Sequence, residues 1–140
     1  MNIIWSDNFE DDIKFYVKKK KYTKILADIE PVINELQTGN LVGDKLDNIK
    51  TPENAAVYKV RVANSSINVG KSNGFRIIYY LAVGDEIYLV TIYSKKDKGR
   101  GAGDFPNDKQ IELLVKNIIS EWVVYIAAQF FYPKVDDFVI

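Results

Sequence analysis

Between Val57 and Ser94 the chain carries three β-strand patterns in succession, and this run limits the fold more than any other feature. VYKVRVA, FRIIYYLAV and EIYLVTIYS are rich in β-branched and aromatic residues. Gly84-Asp85 sits between the last two, and such a dipeptide makes a tight hairpin. The first two are separated by a longer polar connection, Asn64–Gly74 (NSSINVGKSNG). Strands are expected over Val57–Ala63, Phe75–Val83 and Glu86–Ser94. Strands joined by short turns pair antiparallel, so a sheet is expected here. Alternation then assigns faces: Tyr58, Val60 and Val62 turn toward the helices, and Lys59 and Arg61 toward the open face. Arg76 joins the latter pair, with Ile77 and Tyr79 turned inward.

Helical patterns flank the strands. Asn2–Trp5 reads as an edge strand. Ser6 caps a helix over Asp7–Lys20, with acids in its first turn, lysines in its last and a stripe of Phe9, Ile13, Tyr16 and Val17. Thr23 is placed to cap a second helix bearing Ile25, Leu26, Ile29, Val32, Ile33 and Leu36. Gly39 ends it, and Pro31 kinks it or starts a new segment. Leu41–Pro52 is loop-like, with a short strand near Lys45–Leu46. A third helix is expected over Asn107–Tyr132, with Ile111, Leu114, Val115, Ile118, Ile119, Trp122 and Ile126 as its stripe. The order is β-α-α-β-β-β-α. The fold class is α+β, an antiparallel sheet with helices packed on one face.

Several classes of chemistry are excluded by residue type. The chain lacks cysteine and histidine. Disulfides, thiolate metal sites and imidazole proton transfer are therefore absent, and neither a metal nor a cofactor is expected. The 140 residues and 47% hydrophobic content suit one domain with its own core. Residues 1–12 lack the basic segment and apolar run of a signal peptide, and the most apolar stretch, Trp122–Tyr132, is shorter than a membrane span of about 20 residues. A cytoplasmic protein without membrane association is the expectation.

Charge is unevenly spread. Residues 57–101 hold eight basic side chains against three acidic ones, net +5, so the remainder is net −5 in a chain of zero net charge. A cationic sheet on a neutral protein can hold a polyanion. Solvated strand faces explain the same charges more simply. Gly70-Lys71-Ser72 resembles the end of a phosphate loop. It lacks the upstream glycine and lies between two strands, so that reading is rejected.

The element order, the YKVRV strand, the GFRIIYY strand and the closing IYSKKDK resemble the RelE/ParE superfamily of bacterial toxins, in particular its RelE/HigB-like group. The likeness covers roughly residues 1–120, leaving 121–140 as a C-terminal extension of a single domain. It implies the toxin of a type II toxin–antitoxin system. RelE-like members cleave mRNA on the ribosome; ParE-like members instead poison DNA gyrase. Both are neutralised by a cognate antitoxin. Lys59 and Arg61 match the family's basic strand. Arg76 matches the Gly-aromatic-Arg pattern, and Tyr93, Lys95 and Lys96 stand just past or at the end of the last strand. The longer 64–74 connection, the pI of about 6.3 and the stretch after Trp122 depart from the family pattern.

RNA can be cleaved by its own 2′-hydroxyl if a base removes the proton, cations stabilise the phosphorane and an acid protonates the leaving oxygen. Lys59 beside Arg61 and Arg76 is a candidate base, because neighbouring cations depress a lysine pKa. Arg61 and Arg76 could clamp the phosphate, with Lys95 or Lys96 assisting. The expected catalytic set is Lys59, Arg61, Arg76 and Lys95. The expected RNA contacts are Lys71, Tyr80, Tyr93, Lys96 and Lys98, the tyrosines by stacking on bases. Strand packing is the competing account of those tyrosines, and a structural carboxylate partner that of Arg76. EWVVYIAAQFFY is apolar around nearly its whole circumference, so a homodimer or an antitoxin contact through the C-terminal helix is expected, unless Pro133–Ile140 covers it. Gyrase inhibition without chemistry, and a non-toxic partner-binding relic of the fold, are the alternatives to the nuclease.

Overall fold

A computed structural model describes residues 1–97 and 105–130, with side chains up to 119. The fold is α+β: a five-stranded mixed sheet and three α-helices. The strands are β1 (Asn2–Trp5), β2 (Asp44–Lys45), β3 (Ala56–Val62), β4 (Phe75–Ala82) and β5 (Glu86–Ser94). They lie in the order β1-β5-β4-β3-β2. The helices are α1 (Asp7–Lys18), α2 (Ile25–Gln37) and α3 (Asp108–Phe130), and a short 3₁₀ turn spans Ser65–Ile67.

Local chemistry explains most element ends. The Ser6 hydroxyl accepts from the Phe9 N–H at 3.1 Å and donates to the Val90 carbonyl at 3.0 Å, capping α1 and tying it to β5. At the end of α2, the Gly39 N–H donates to Leu36 O and the Asn40 N–H to Glu35 O, with Gly39 at φ +88°. This pair of bonds is a Schellman closure, which needs the left-handed residue. Gly84 and Asp85 both take positive φ, as the two-residue hairpin between β4 and β5 requires. Asn107 and Gln110 cap α3 reciprocally, each side chain accepting from the other's N–H at 2.8–2.9 Å.

Three expectations need correction. The sheet is mixed, because β1 runs parallel to β5. No hairpin joins β1 to a neighbour, so its direction is set by how α1 leaves it. The helices occupy both faces. Val60, Val62, Phe75, Ile77, Tyr79, Ile87, Leu89 and Ile92 form one core with α1 and α2. Val57, Ile78, Tyr80, Val90 and Tyr93 form a second with Ile111, Val115 and Ile118 of α3. The physical reason is the sheet's own alternation, which leaves an apolar set on the far side that must also be covered. Thr23 does not cap α2. Lys24 holds the cap position without a side-chain bond, and its N–H donates instead to Ser66 Oγ at 3.1 Å. Pro31 lies within α2, which is assigned as one helix through it.

β5 carries an irregularity. Ile78 faces Thr91 while Tyr79 faces Leu89, so Val90 is an extra residue, a β-bulge. α1 satisfies the displaced groups. The Val90 carbonyl accepts from Ser6 Oγ and from Asn8 Nδ2 at 3.1 Å. The buried Asp12 carboxylate accepts from Thr91 Oγ1 at 2.5 Å and from the Ile92 N–H at 3.1 Å. Among the described residues no helix is long and apolar enough to cross a membrane. The stretch Glu121–Tyr132, expected to mediate a homodimer, lies outside the described side chains.

Candidate nucleic-acid interface

The candidate site is built on the register of three strands. Arg61 on β3 stands opposite Arg76 on β4, and Arg76 stands opposite Tyr93 on β5. All three alternate with residues of the first core, so they share the α3 face of the sheet. Lys59 is two residues along β3, about 7 Å from the Arg61 row at ordinary strand rise. It is half-buried, opposite Ile78 on one side and Asp44 of β2 on the other.

Arg61 and Arg76 have different surroundings. Arg61 is exposed. Arg76 is 6% exposed, and its guanidinium turns along the strand into the 64–74 connection. Nη1 donates to Lys71 O at 2.9 Å and to Phe75 O at 3.1 Å; Nη2 donates to Ser72 O at 3.0 Å. Burial lowers the Arg76 pKa first, the Arg61 charge second, and Tyr93 acts in the opposite direction. Arg76 thus holds the loop that presents Lys71, whose side chain is exposed. The alternative expected for Arg76, a structural carboxylate partner, is corrected: its partners are main-chain carbonyls, two of them in the loop.

Beyond β5, the Lys95 N–H donates to Gly74 O at 2.8 Å, which continues the β4–β5 ladder by one bond. The side chains of Lys95 and Lys96 are exposed. Asp97 is held to the turn after α1 and to the end of β5. Its carboxylate accepts from the Tyr22 hydroxyl, accepts from Ser94 Oγ at 3.3 Å and lies 3.8 Å from Lys20 Nζ. Burial raises the Tyr22 hydroxyl pKa, and the bond to Asp97 raises it further. Sequence reading missed this pair. The acid inside the run YSKKDK, unlike its neighbours in sign, is the signal that could have found it. Lys98 lies outside the described residues.

The two tyrosines are placed in the core. Tyr80 is 4% exposed in the α3-facing cluster, with its ring 6.3 Å from Tyr88, and burial raises its pKa. Tyr93 is buried in the same cluster, its ring 5.3 Å from Phe105. Burial raises its pKa, and Arg76 opposes the shift. The expectation that these rings stack on bases gives way to packing under α3, because α3 covers this part of the face.

Four exposed cations lie toward one end of the sheet, Arg61 near the end of β3, Lys71 on the loop and Lys95 and Lys96 after β5, while the half-buried Lys59 stands at the middle of β3. Among the described residues none of the five has a carboxylate within 4.0 Å, the one ion pair being Lys20 with Asp97. Also among them, no cluster of three or more acidic side chains could hold a metal ion. No family model matches the chain, and no curated protein is similar to it at a level that shows kinship.

Proposed function

We propose that this chain is the toxin of a type II toxin–antitoxin pair, an endoribonuclease that cleaves mRNA and arrests translation without a metal. The observation that carries the reading is the set of exposed cations, unpaired among the described residues, at one end of the sheet, centred on the exposed Arg61. The succession of two helices, a hairpin-linked sheet and a final helix supports the RelE-like likeness, with β2 as an addition.

In this reading Arg61 holds the non-bridging phosphate oxygens through its planar fork. Lys59 takes the proton of the ribose 2′-hydroxyl, whose oxygen attacks phosphorus. The bond to the 5′-oxygen breaks, and Lys95 supplies that oxygen's proton, leaving a cyclic phosphate. Lys71 and Lys96 contact neighbouring phosphates. Arg76 is a positioning residue that holds the Lys71 loop. The cognate antitoxin, the ribosome and a cytoplasmic setting belong to the same reading.

A second reading, a partner-binding protein without chemistry, is favoured by the hydrogen bonds that occupy the Arg76 guanidinium. Induced expression in growing bacteria separates the two. Wild type and the exposed-site variant Arg61→Ala/Lys95→Ala are compared at equal abundance, with translation rate and mRNA 5′ ends read together. New 5′ ends and translation arrest in wild type alone support the nuclease. Growth arrest with intact mRNA and damaged DNA replaces it with gyrase inhibition. Neither effect leaves a non-toxic binding protein.

A further inference from the structure

The loop that carries Lys71 closes on Asn73-Gly74, the one asparagine in the chain that precedes a glycine. Asn73 is exposed and Gly74 is buried. The peptide groups on either side are fixed. Arg76 binds the Lys71 and Ser72 carbonyls, and the Gly74 carbonyl accepts from the Lys95 N–H. The Gly74 N–H itself has no acceptor among the described residues. An asparagine side-chain amide lies within reach of the next residue's nitrogen, and glycine has no Cβ to hinder that approach. The exposed Asn40, Asn48, Asn54 and Asn68 precede leucine, isoleucine, alanine and valine, which do.

Charge favours the same approach. Lys71 precedes the pair and Arg76 follows it; Arg61 stands opposite Arg76 on β3, and Lys95, with Lys96 next to it, bonds to Gly74. The acids that reach this end of the sheet are engaged, Asp97 by Tyr22 and Ser94, and Asp28 of α2 by Ser65. Tyr93, opposite Arg76, is buried. Neighbouring cations lower the cost of taking a proton from the Gly74 amide. We propose that Asn73-Gly74 is a self-modification site, at which the loop converts itself to aspartate and isoaspartate. The Gly74 N–H gives its proton to hydroxide, and the nitrogen bonds to Asn73 Cγ. The Cγ–Nδ2 bond breaks, and the nitrogen leaves as ammonia with a proton from water. Water then opens either carbonyl of the cyclic imide. One opening gives aspartate. The other gives isoaspartate, whose main chain runs through Cβ and gains a carbon. Both put a carboxylate among the cations. The second also lengthens the chain beside Gly74, where a methyl group would already lie 2.0 Å from Val62 O. The loop then loses the spacing on which the Arg76 bonds to Lys71 and Ser72 depend. The site is independent of what the cations of the sheet bind.

The test ages the 140-residue chain in buffer at about pH 7 and about pH 9, both native and in urea. Peptide mass mapping locates deamidation, and a protein-isoaspartate methyltransferase counts isoaspartate. In the native protein Asn73 should convert before every other asparagine. The rate should rise about tenfold for each pH unit, as loss of one proton before the attack requires. Isoaspartyl protein, separated by ion exchange, should exchange the amides of residues 64–74 about tenfold faster than fresh protein. Asn73→Gln, whose longer side chain must close a larger ring, should form no isoaspartate in the loop. The mapping is made on the wild-type chain and does not depend on that variant folding. Asn73 that stays intact in the native protein while it converts in urea overturns the proposal, because the fold then blocks the attack. So do conversion that does not quicken with pH, isoaspartyl protein whose loop exchanges at the fresh rate, and Asn73→Gln that gains as much isoaspartate as wild type.

Discussion

Arg61 and Arg76 face each other across β3 and β4, one exposed and the other buried on the carbonyls of Lys71 and Ser72. Like charges directly opposite one another in a sheet are unfavourable. The Arg76 bonds into the loop offset that cost. Arg76→Ala should therefore cost about 1–3 kcal/mol in urea unfolding. It should also speed amide exchange across residues 64–74. Arg61→Ala should stay within about 0.5 kcal/mol of wild type. Equal effects of the two substitutions would mean that the loop does not depend on Arg76.

Gly74 is where the loop returns to the sheet. A methyl group there would lie 2.0 Å from Val62 O and 2.8 Å from the Asn64 nitrogen. Both are backbone atoms that cannot step aside. Gly74→Ala should lower stability by more than about 2 kcal/mol, whereas Gly70→Ala, with nothing within 4 Å, should shift it by less than about 0.5 kcal/mol. Thermal denaturation of both variants checks the contrast.

The carboxylate of Asp12 receives the Thr91 hydroxyl and the Ile92 N–H in a buried setting. Asp12→Ala leaves both donors without that acceptor. A loss of more than about 2 kcal/mol is expected. Thr91→Val should cost less, and the double variant should lose less than the sum of the singles, as coupled partners do. A double-mutant cycle in guanidinium chloride measures the coupling.

Lys95 and Lys96 are exposed, so removing them should act on binding rather than on folding. Fluorescence anisotropy with a single-stranded RNA should give a linear dependence of log affinity on log salt. Its slope should fall by about 0.7 for each phosphate that Lys95→Ala or Lys96→Ala no longer neutralises. A slope that does not change in either variant would remove both residues from the interface.

Tyrosine ionisation sets an alkaline limit. Burial, and after it the bond to Glu86, pushes the Tyr88 hydroxyl up to about 12 from its ordinary 10.0. The unfolded chain ionises first as pH rises. Tyr88's contribution is thus complete below pH 10.0 and is lost as pH climbs toward about 12. Tyr79 and Tyr80 shift in the same direction, chiefly through burial. Ellipticity should fall together with a rise in tyrosinate absorbance. Tyr88→Phe should make the decline above pH 10.0 shallower.

The parts legible in the sequence are those governed by nearby residues. Ser6 as a cap, Gly39 as a helix end, Gly84-Asp85 as a hairpin and the spans of β3 to β5 each follow from a few neighbouring side chains. The missed features depend on distant ones. An apolar stripe on α3 announces burial but not which sheet face receives it; that choice rests on Val57, Ile78 and Val90 turning away from α1. Thr23 has the residue type of a cap, but Lys24 holds the cap position, with its own N–H fixed by Ser66, 42 residues away. For the candidate site, alternation placed Lys59, Arg61 and Arg76 on one face. It could not reveal that Arg76 would turn into the loop, or that α3 would cover Tyr80 and Tyr93.

The extra residue in β5 acts as a phase shifter. Ile87 and Leu89 point to the α1 side, and unbroken alternation would send Tyr93 there too. Inserting Val90 advances the strand by half a period, so Ile92 takes the α1 side and Tyr93 emerges beside Arg76. The two halves of one strand thus follow opposite parities. Deleting Val90 would therefore remove the bulge and leave both ends of the strand facing as they do now, whereas regular pairing with Val90 retained would turn the final residues over.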